Sequence, residues 1–207
     1  MKGGLAHVTL FGELKNLGFI DQFFDYDFFD CNFSEKKNKM FRILPTNIKI
    51  NRRELYSLKN NVMTGVNIFN PDNKRFQIVL RCHSIKNQLI KFLQQNNYLD
   101  KRKIGTTVIL HSTKNCKKQQ WHTDYDPDAC QKSKVKPLGV LFALQNNTYL
   151  NVYNKGRICL NKGEVLIFDG DLIHAGSAYK CENTRIHMYL DSEEFKRVRN
   201  KTYILNN

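Results

Sequence analysis

The sequence predicts a mainly β fold, an antiparallel sandwich or small barrel, with a mixed α/β extension at its N-terminal end. Three observations predict it. From residue 106 onward the apolar residues fall in short runs. Asn, Asp and Gly separate one run from the next. Ahead of that region the apolar spacing is helical at one clear place and mixed elsewhere. Short strands with regular turns close into two packed sheets or a barrel. A chain of 207 residues supports one domain of this kind and is short for two. We therefore divide it into an extension, 1–103, packed on a core, 104–207.

The elements follow in order. Residues 21–33 alternate pairs of Phe with Asp25, Asp27 and Asp30, which places rings against the core and carboxylates in water. Phe76, Ile78 and Leu80 alternate as a strand does. Ile85, Leu89, Phe92 and Leu93 then recur at helical spacing, with Ser84 placed to cap the helix. Eight strands come next: 106–111, 119–123, 138–144, 149–153, 157–160, 164–168, 172–176 and 185–191. Asn146-Asn147, Asn154-Lys155-Gly156, Asn161-Lys162-Gly163 and Asp169-Gly170-Asp171 supply turns between them.

Composition narrows the function classes. Hydrophobic residues make up 41% of the chain, enough for a packed core. No run of 18 apolar residues exists, so no membrane-spanning helix is expected. The N-terminal stretch mixes charged and Gly residues into its apolar ones, which makes a poor export signal, and the expected location is intracellular, cytoplasmic or nuclear. Cys31, Cys82, Cys116, Cys130, Cys159 and Cys181 form no C-x-x-C pair and are expected as reduced thiols. The net charge of +14 is spread over both halves of the chain and favours anionic partners, nucleic acid among them.

The chemistry centres on a few residues. His122 and Asp124 lie two apart in an extended segment, so they share a face about 6–7 Å apart along the strand. That suits two ligands of one metal ion. His174 stands at the centre of a later strand, directly after the turn Asp169-Gly170-Asp171. Two His and one carboxylate on one face of an octahedral ion leave three positions open, as non-haem Fe(II) oxygenases require. Arg185 opens the last strand, on which Arg185, His187, Tyr189 and Asp191 point one way and Ile186, Met188 and Leu190 the other. A guanidinium on an otherwise apolar strand needs a partner, and its fork suits a carboxylate.

Trp121-His122-Thr123-Asp124, the run from Gly163 through Phe168 to His174-Ala175-Gly176, and Asn183-Thr184-Arg185 together resemble the signature of the Fe(II)/2-oxoglutarate-dependent dioxygenases. Within that superfamily the phytanoyl-CoA hydroxylase-like branch is the most similar, and the resemblance covers residues 104–192. It implies a double-stranded β-helix, a distorted jelly roll. It implies Fe(II) held by His122, Asp124 and His174, with the far carboxylate of 2-oxoglutarate on Arg185. It also implies O₂ as co-substrate, succinate and CO₂ as products, and oxidation of a second substrate. Many members of the superfamily carry Ser or Thr two residues after the Arg as a second carboxylate donor; this chain has His187 there. Tyr149, Tyr153 and Tyr189 are alternative donors.

Six lysines, from Lys114 to Lys136, flank the His-x-Asp motif within 23 residues. Such a rim would draw in a polyanion with strong salt dependence, and Trp121 and Tyr125 could stack on a base. Oxidation or demethylation of a nucleobase is one expectation. Hydroxylation of a protein side chain or a small metabolite is equally open, since one fold hosts all three. Two readings from other classes are a zinc module built on Cys116, His122, Asp124 and Cys130, and a non-catalytic basic nucleic-acid-binding module.

Overall fold

Alternating strands give each sheet two unlike faces, and here one sheet uses both. The structure is a computed structural model describing residues 40–63, 66–67, 72–81, 83–198 and 201–205. Its strands are β1 (Phe41–Pro45), β2 (Val66–Asn67), β3 (Arg75–Val79), β4 (Arg102–Ser112), β5 (His122–Thr123), β6 (Leu138–Ala143), β7 (Thr148–Val152), β8 (Gly156–Leu160), β9 (Glu164–Asp169), β10 (His174–Gly176), β11 (Asn183–Ser192) and β12 (Tyr203–Ile204). Helices α1 (Arg52–Met63), α2 (Ser84–Gln95) and α3 (Pro127–Lys132) complete the described elements. One sheet has seven strands in the order β1-β9-β6-β11-β4-β3-β2, the other five in the order β12-β5-β10-β7-β8. Every pairing is antiparallel.

The larger sheet packs helices on one face. Val140 and Phe142 of β6, Val165 and Ile167 of β9, and Ile186, Met188 and Leu190 of β11 form one core with Leu58 and Val62 of α1 and Ile85, Leu89 and Leu93 of α2. Its other face meets the smaller sheet: Leu141, Ala143, Leu166 and Phe168 pack with Leu150 and Val152 of β7 and Ile158 and Leu160 of β8. This is a mostly β, double-stranded β-helix arrangement, and the alternation expected along β11 is the alternation observed. Strands from the first hundred residues belong to the same sheet, since β1 pairs with β9 and β3 with β4.

Helix α2 differs from expectation at its start. The cap is His83, whose Nδ1 accepts from the Ile85 N–H at 3.2 Å, while the Ser84 hydroxyl donates to Glu54 of α1 at 2.9 Å. Ser84 is drawn off by a carboxylate that only the packing of α1 beside it supplies. Helix α1 carries its own signal: Asn51 Oδ1 accepts from the Glu54 N–H at 2.8 Å, and Glu54 returns the bond to the Asn51 N–H at 3.3 Å. That is a capping box. Helix α3, where the sequence reads as loop, has Asp126 as its cap and Pro127 in its first turn. The expected turns hold, with Asn147, Asn154, Gly156 and Gly163 all at positive φ.

Cys116, Cys130, Cys159 and Cys181 are not joined in disulfides. Cys31, Cys82 and the aromatic run 21–33 lie outside the described residues. Among the described residues no helix is long and apolar enough to cross a membrane.

Candidate active site

Antiparallel pairing of β5 with β10 sets His174 directly opposite His122, and Asp124 follows one residue beyond β5. One potential ligand atom from each of the three lies within 4.8 Å of the other two. All three are buried, at 7%, 2% and 3% exposure for His122, Asp124 and His174. His122 Nδ1 bonds the Gln120 carbonyl at 2.8 Å and His174 Nδ1 bonds the Leu172 carbonyl at 2.9 Å. A carbonyl only accepts, so each Nδ1 carries the proton and each Nε2 is left with a lone pair.

The electrostatics point the same way. Burial pushes His122 and His174 down, His174 to about 4, with Asp124 opposing it in both, so both are neutral near pH 7. Burial alone would raise the Asp124 carboxyl, but the imidazoles of His187 and His174 beside it outweigh this and hold it below the usual carboxylate range. Its Oδ2 is buried with no hydrogen-bond donor. A buried carboxylate oxygen without a donor, facing two neutral imidazoles, is an expensive arrangement unless a cation completes it. Two neutral nitrogen donors and one anionic oxygen donor fit a divalent transition metal.

The other expected residues fall in three places. His187, on β11, does reach this cluster: its Nε2 is 3.3 Å from Asp124 Oδ2, although neither atom is aligned for a hydrogen bond. Its ring lies 4.4 Å from that of Tyr189, centroid to centroid, and 6.0 Å from that of Phe168. Arg185 shares that face of β11, two residues away and so about 6–7 Å along the strand. It is 4% exposed, donates from Nη1 to Ser112 Oγ at 3.1 Å, and lies over the Tyr179 ring at 5.4 Å. Among the described residues no carboxylate pairs with it.

Tyr149 is placed elsewhere. Its neighbours Leu150 and Thr148 are buried while it is half-buried, with Arg157 over its ring at 4.3 Å. Leu150 and Val152 face the inter-sheet core, so Tyr149 turns to the opposite side of β7. Tyr153, 39% exposed, packs edge-on against Trp121 at 5.4 Å, and Lys118 sits over Trp121 at 4.6 Å. Neither Cys116 nor Cys130 joins the cluster of His122, Asp124 and His174; Cys130 packs instead with Tyr125 and Tyr189. Of the six lysines, Lys136 is engaged with Asp171 at 2.9 Å and Asp169 at 3.4 Å, while Lys114, Lys117, Lys118, Lys132 and Lys134 are exposed.

Three residues were not singled out by the sequence. Arg75 of β3 is 2% exposed and donates to Ser112 Oγ at 2.9 Å and to the carbonyls of Lys117, Gly176 and Ser177 at 2.6, 3.3 and 2.5 Å. Ser112 ends β4, and Tyr179 hydrogen-bonds the Tyr149 backbone at 2.8 and 3.1 Å. A lone Arg opening an ordinary strand carries no local signal of burial.

No protein-family model matches the chain. The search of curated proteins likewise returns no match. Solved structures do match in shape. The viral collagen prolyl hydroxylase of Paramecium bursaria Chlorella virus-1, in its 2-oxoglutarate complex, superimposes with a TM-score of 0.55 at 17% identity, covering 76% of this chain and 98% of that one. HygX from Streptomyces hygroscopicus, with nickel and 2-oxoglutarate bound, gives 0.56 at 10% identity over 77% and 85%. An oxidoreductase of the 2OG-Fe(II) oxygenase family from Burkholderia pseudomallei gives 0.55 at 12% identity over 83% and 98%. With two sheets enclosing a buried His-Asp-His cluster, this chain has the double-stranded β-helix fold that these 2-oxoglutarate–Fe(II) oxygenases share.

Proposed function

We infer that the protein is an Fe(II)- and 2-oxoglutarate-dependent oxygenase that hydroxylates its substrate. The observation carrying this is the buried cluster of two neutral imidazoles and one orphaned carboxylate oxygen, with Arg185, on β11 of the other sheet, paired with no carboxylate among the described residues. His122, Asp124 and His174 would hold Fe(II), which when bound supplies the oxygen chemistry that couples loss of CO₂ from 2-oxoglutarate to substrate oxidation.

The protein's own residues orient and shield. Carbonyls of Gln120 and Leu172 fix the two imidazole tautomers. Arg185 binds the far carboxylate of the co-substrate through N–H groups beyond the one given to Ser112. Phe168 packs edge-on against His174 at 5.0 Å and helps exclude water.

For the substrate, the nucleobase gains no support from the fold neighbours, and a protein side chain and a small metabolite stand level. One neighbour of matching fold is named a collagen prolyl hydroxylase and another, HygX, holds hygromycin B, while Trp121 is half-buried between Lys118 and Tyr153. Placement in the phytanoyl-CoA hydroxylase-like branch rests on the sequence motifs alone.

The test is 2-oxoglutarate turnover after anaerobic loading with Fe(II), against panels of proline-containing peptides, methylated oligonucleotides and small metabolites. Succinate formation stimulated by one panel, with a gain of 16 mass units on its members, is the expected result (~16, one oxygen atom). His174→Ala should abolish turnover. It should also weaken divalent-metal binding by more than about 100-fold, since disturbing only the surroundings of a metal ligand already costs roughly 10–100-fold. Stoichiometric zinc held through thiolates, with no turnover, would sink the reading.

A further inference from the structure

The three side chains of the cluster are not held in the same way. His122 and His174 are each fixed by an Nδ1 bond to a carbonyl two residues earlier. Asp124 has no such anchor. Its Oδ2 meets no donor, and it lies one residue beyond β5, outside the sheet pairing that sets His122 opposite His174. The carboxylate therefore takes its place from its own main chain. A ligand carried on a loop keeps its geometry only if the loop itself is held.

The chain that follows β11 supplies the hold. Arg197 Nε donates to the Asp124 carbonyl at 3.1 Å, and its Nη2 donates to the Lys201 carbonyl at 2.8 Å. The same guanidinium lies over the Tyr189 ring at 4.1 Å. A planar fork can reach two carbonyls and a ring face at once, which a single ammonium cannot. Asp191, near the end of β11, accepts through Oδ1 from the Tyr125 hydroxyl at 3.0 Å and from the Arg197 N–H at 3.1 Å. One oxygen thus ties the residue after the metal ligand to the residue that grips the ligand's carbonyl. Glu194 Oε2 accepts from the Ser133 hydroxyl at 3.1 Å and the Lys134 N–H at 3.0 Å, and the Phe195 ring packs 5.8 Å from that of Tyr125. Further on, β12 pairs with β5, Tyr203 opposite Thr123 and Ile204 opposite His122.

We propose that Arg197 and Asp191 are positioning residues for Asp124, and that the chain after β11 clamps the loop carrying this ligand. The inference rests on the functional reading above in placing a divalent metal at the cluster. Neither residue touches the metal in this account. Arg197 fixes the Asp124 carbonyl, Asp191 fixes Arg197 and Tyr125 on either side of it, and the carboxylate is thereby aimed at the two imidazoles. Loosening the clamp leaves the histidines in place and costs the site its one anionic ligand.

The experiment is calorimetric titration of the full chain with Ni(II), with the visible absorption of the Co(II)-loaded protein read alongside. Arg197→Ala should weaken Ni(II) by roughly 10–100-fold, the range for losing a group that orients a metal ligand, and shift the Co(II) bands. Asp191→Ala removes the acceptor for both Tyr125 and Arg197 and should do the same. Asp191→Asn keeps an acceptor oxygen at that place and should restore Ni(II) affinity and the wild-type Co(II) spectrum. Should Arg197→Ala fail to fold, the two Asp191 variants decide. Leu89→Ala, in the core on the helix side of the larger sheet, controls for lost stability alone and should keep Ni(II) affinity. Wild-type Ni(II) affinity in Asp191→Ala or in folded Arg197→Ala overturns the inference and leaves the functional reading intact. So does equal weakening in Asp191→Asn, or in Leu89→Ala. Failure of the wild-type protein to bind Ni(II) or Co(II) overturns that reading and this inference with it.

Discussion

Each histidine of the cluster bonds the carbonyl two residues before it, His122 to Gln120 and His174 to Leu172. The bond is local and needs only an extended backbone, so the tautomer is set without help from distant parts of the chain. The space for the rings is another matter. A Cβ on Gly139 would come within 2.3 Å of Phe168 Cζ, and Phe168 packs against His174 at 5.0 Å. Gly139→Ala must therefore displace the aromatic ring that packs against the imidazole. We expect a loss of about 1–3 kcal/mol in urea denaturation, typical of overpacking, together with weaker metal binding. An unchanged denaturation midpoint with wild-type metal affinity would show that Phe168 has somewhere else to go. Much of the site was legible at this scale. His122 and Asp124 share a face by strand geometry, and His174 stands out because a turn precedes it. Ser112 and Arg75 were not legible, because a serine and an arginine reveal a shared hydrogen bond only when β3, β4 and β11 are aligned side by side.

At the scale of elements, β11 divides the molecule. Ile186, Met188 and Leu190 point to the helices, and Arg185 and His187 to the site. Helix α2 supplies Ile85, Leu89 and Leu93 to the same core, all fully buried. Leu89→Ala should cost about 2–5 kcal/mol of unfolding free energy, the range for a large-to-small change in a packed core. Because this core lies behind the sheet, Ni(II) affinity should stay near wild-type in the folded variant. A metal affinity that fell in step with stability would mean that the two faces of β11 are mechanically coupled. The helix itself was readable from period and spacing. Its cap was not, since the competing acceptor, Glu54, lies 30 positions earlier in the chain.

For the molecule as a whole, three buried histidines set the acid response. His111, His122 and His174 are each lowered from 6.5, with burial the largest cause. The unfolded chain therefore binds more protons than the folded one below 6.5, and stability is lost as pH falls through that window, to about 4 for His174. Asp124 adds to the loss further down, because its folded carboxyl lies below the ordinary 3.8 and its contribution disappears as pH drops beneath that value. The metal-free protein should show a thermal midpoint that declines steadily from pH 7 to pH 4 (~pH 7 to ~4). A midpoint that is flat or rises on acidification would contradict the buried, neutral state of these rings.

What the sequence determined by itself was set by local physics: strand alternation, turn residues at positive φ, the amphipathic face of α2, and a His-x-Asp pair on one side of an extended segment. What only the tertiary structure decided was which distant groups share a buried space. Sheet pairing brought His174 opposite His122, turned His187 onto Asp124 and Tyr149 away from the core, and joined Arg75 to Arg185 through Ser112. Local periodicity fixes the face on which a side chain lies, but the partner it meets there depends on the register and order of strands that the chain brings together from far apart.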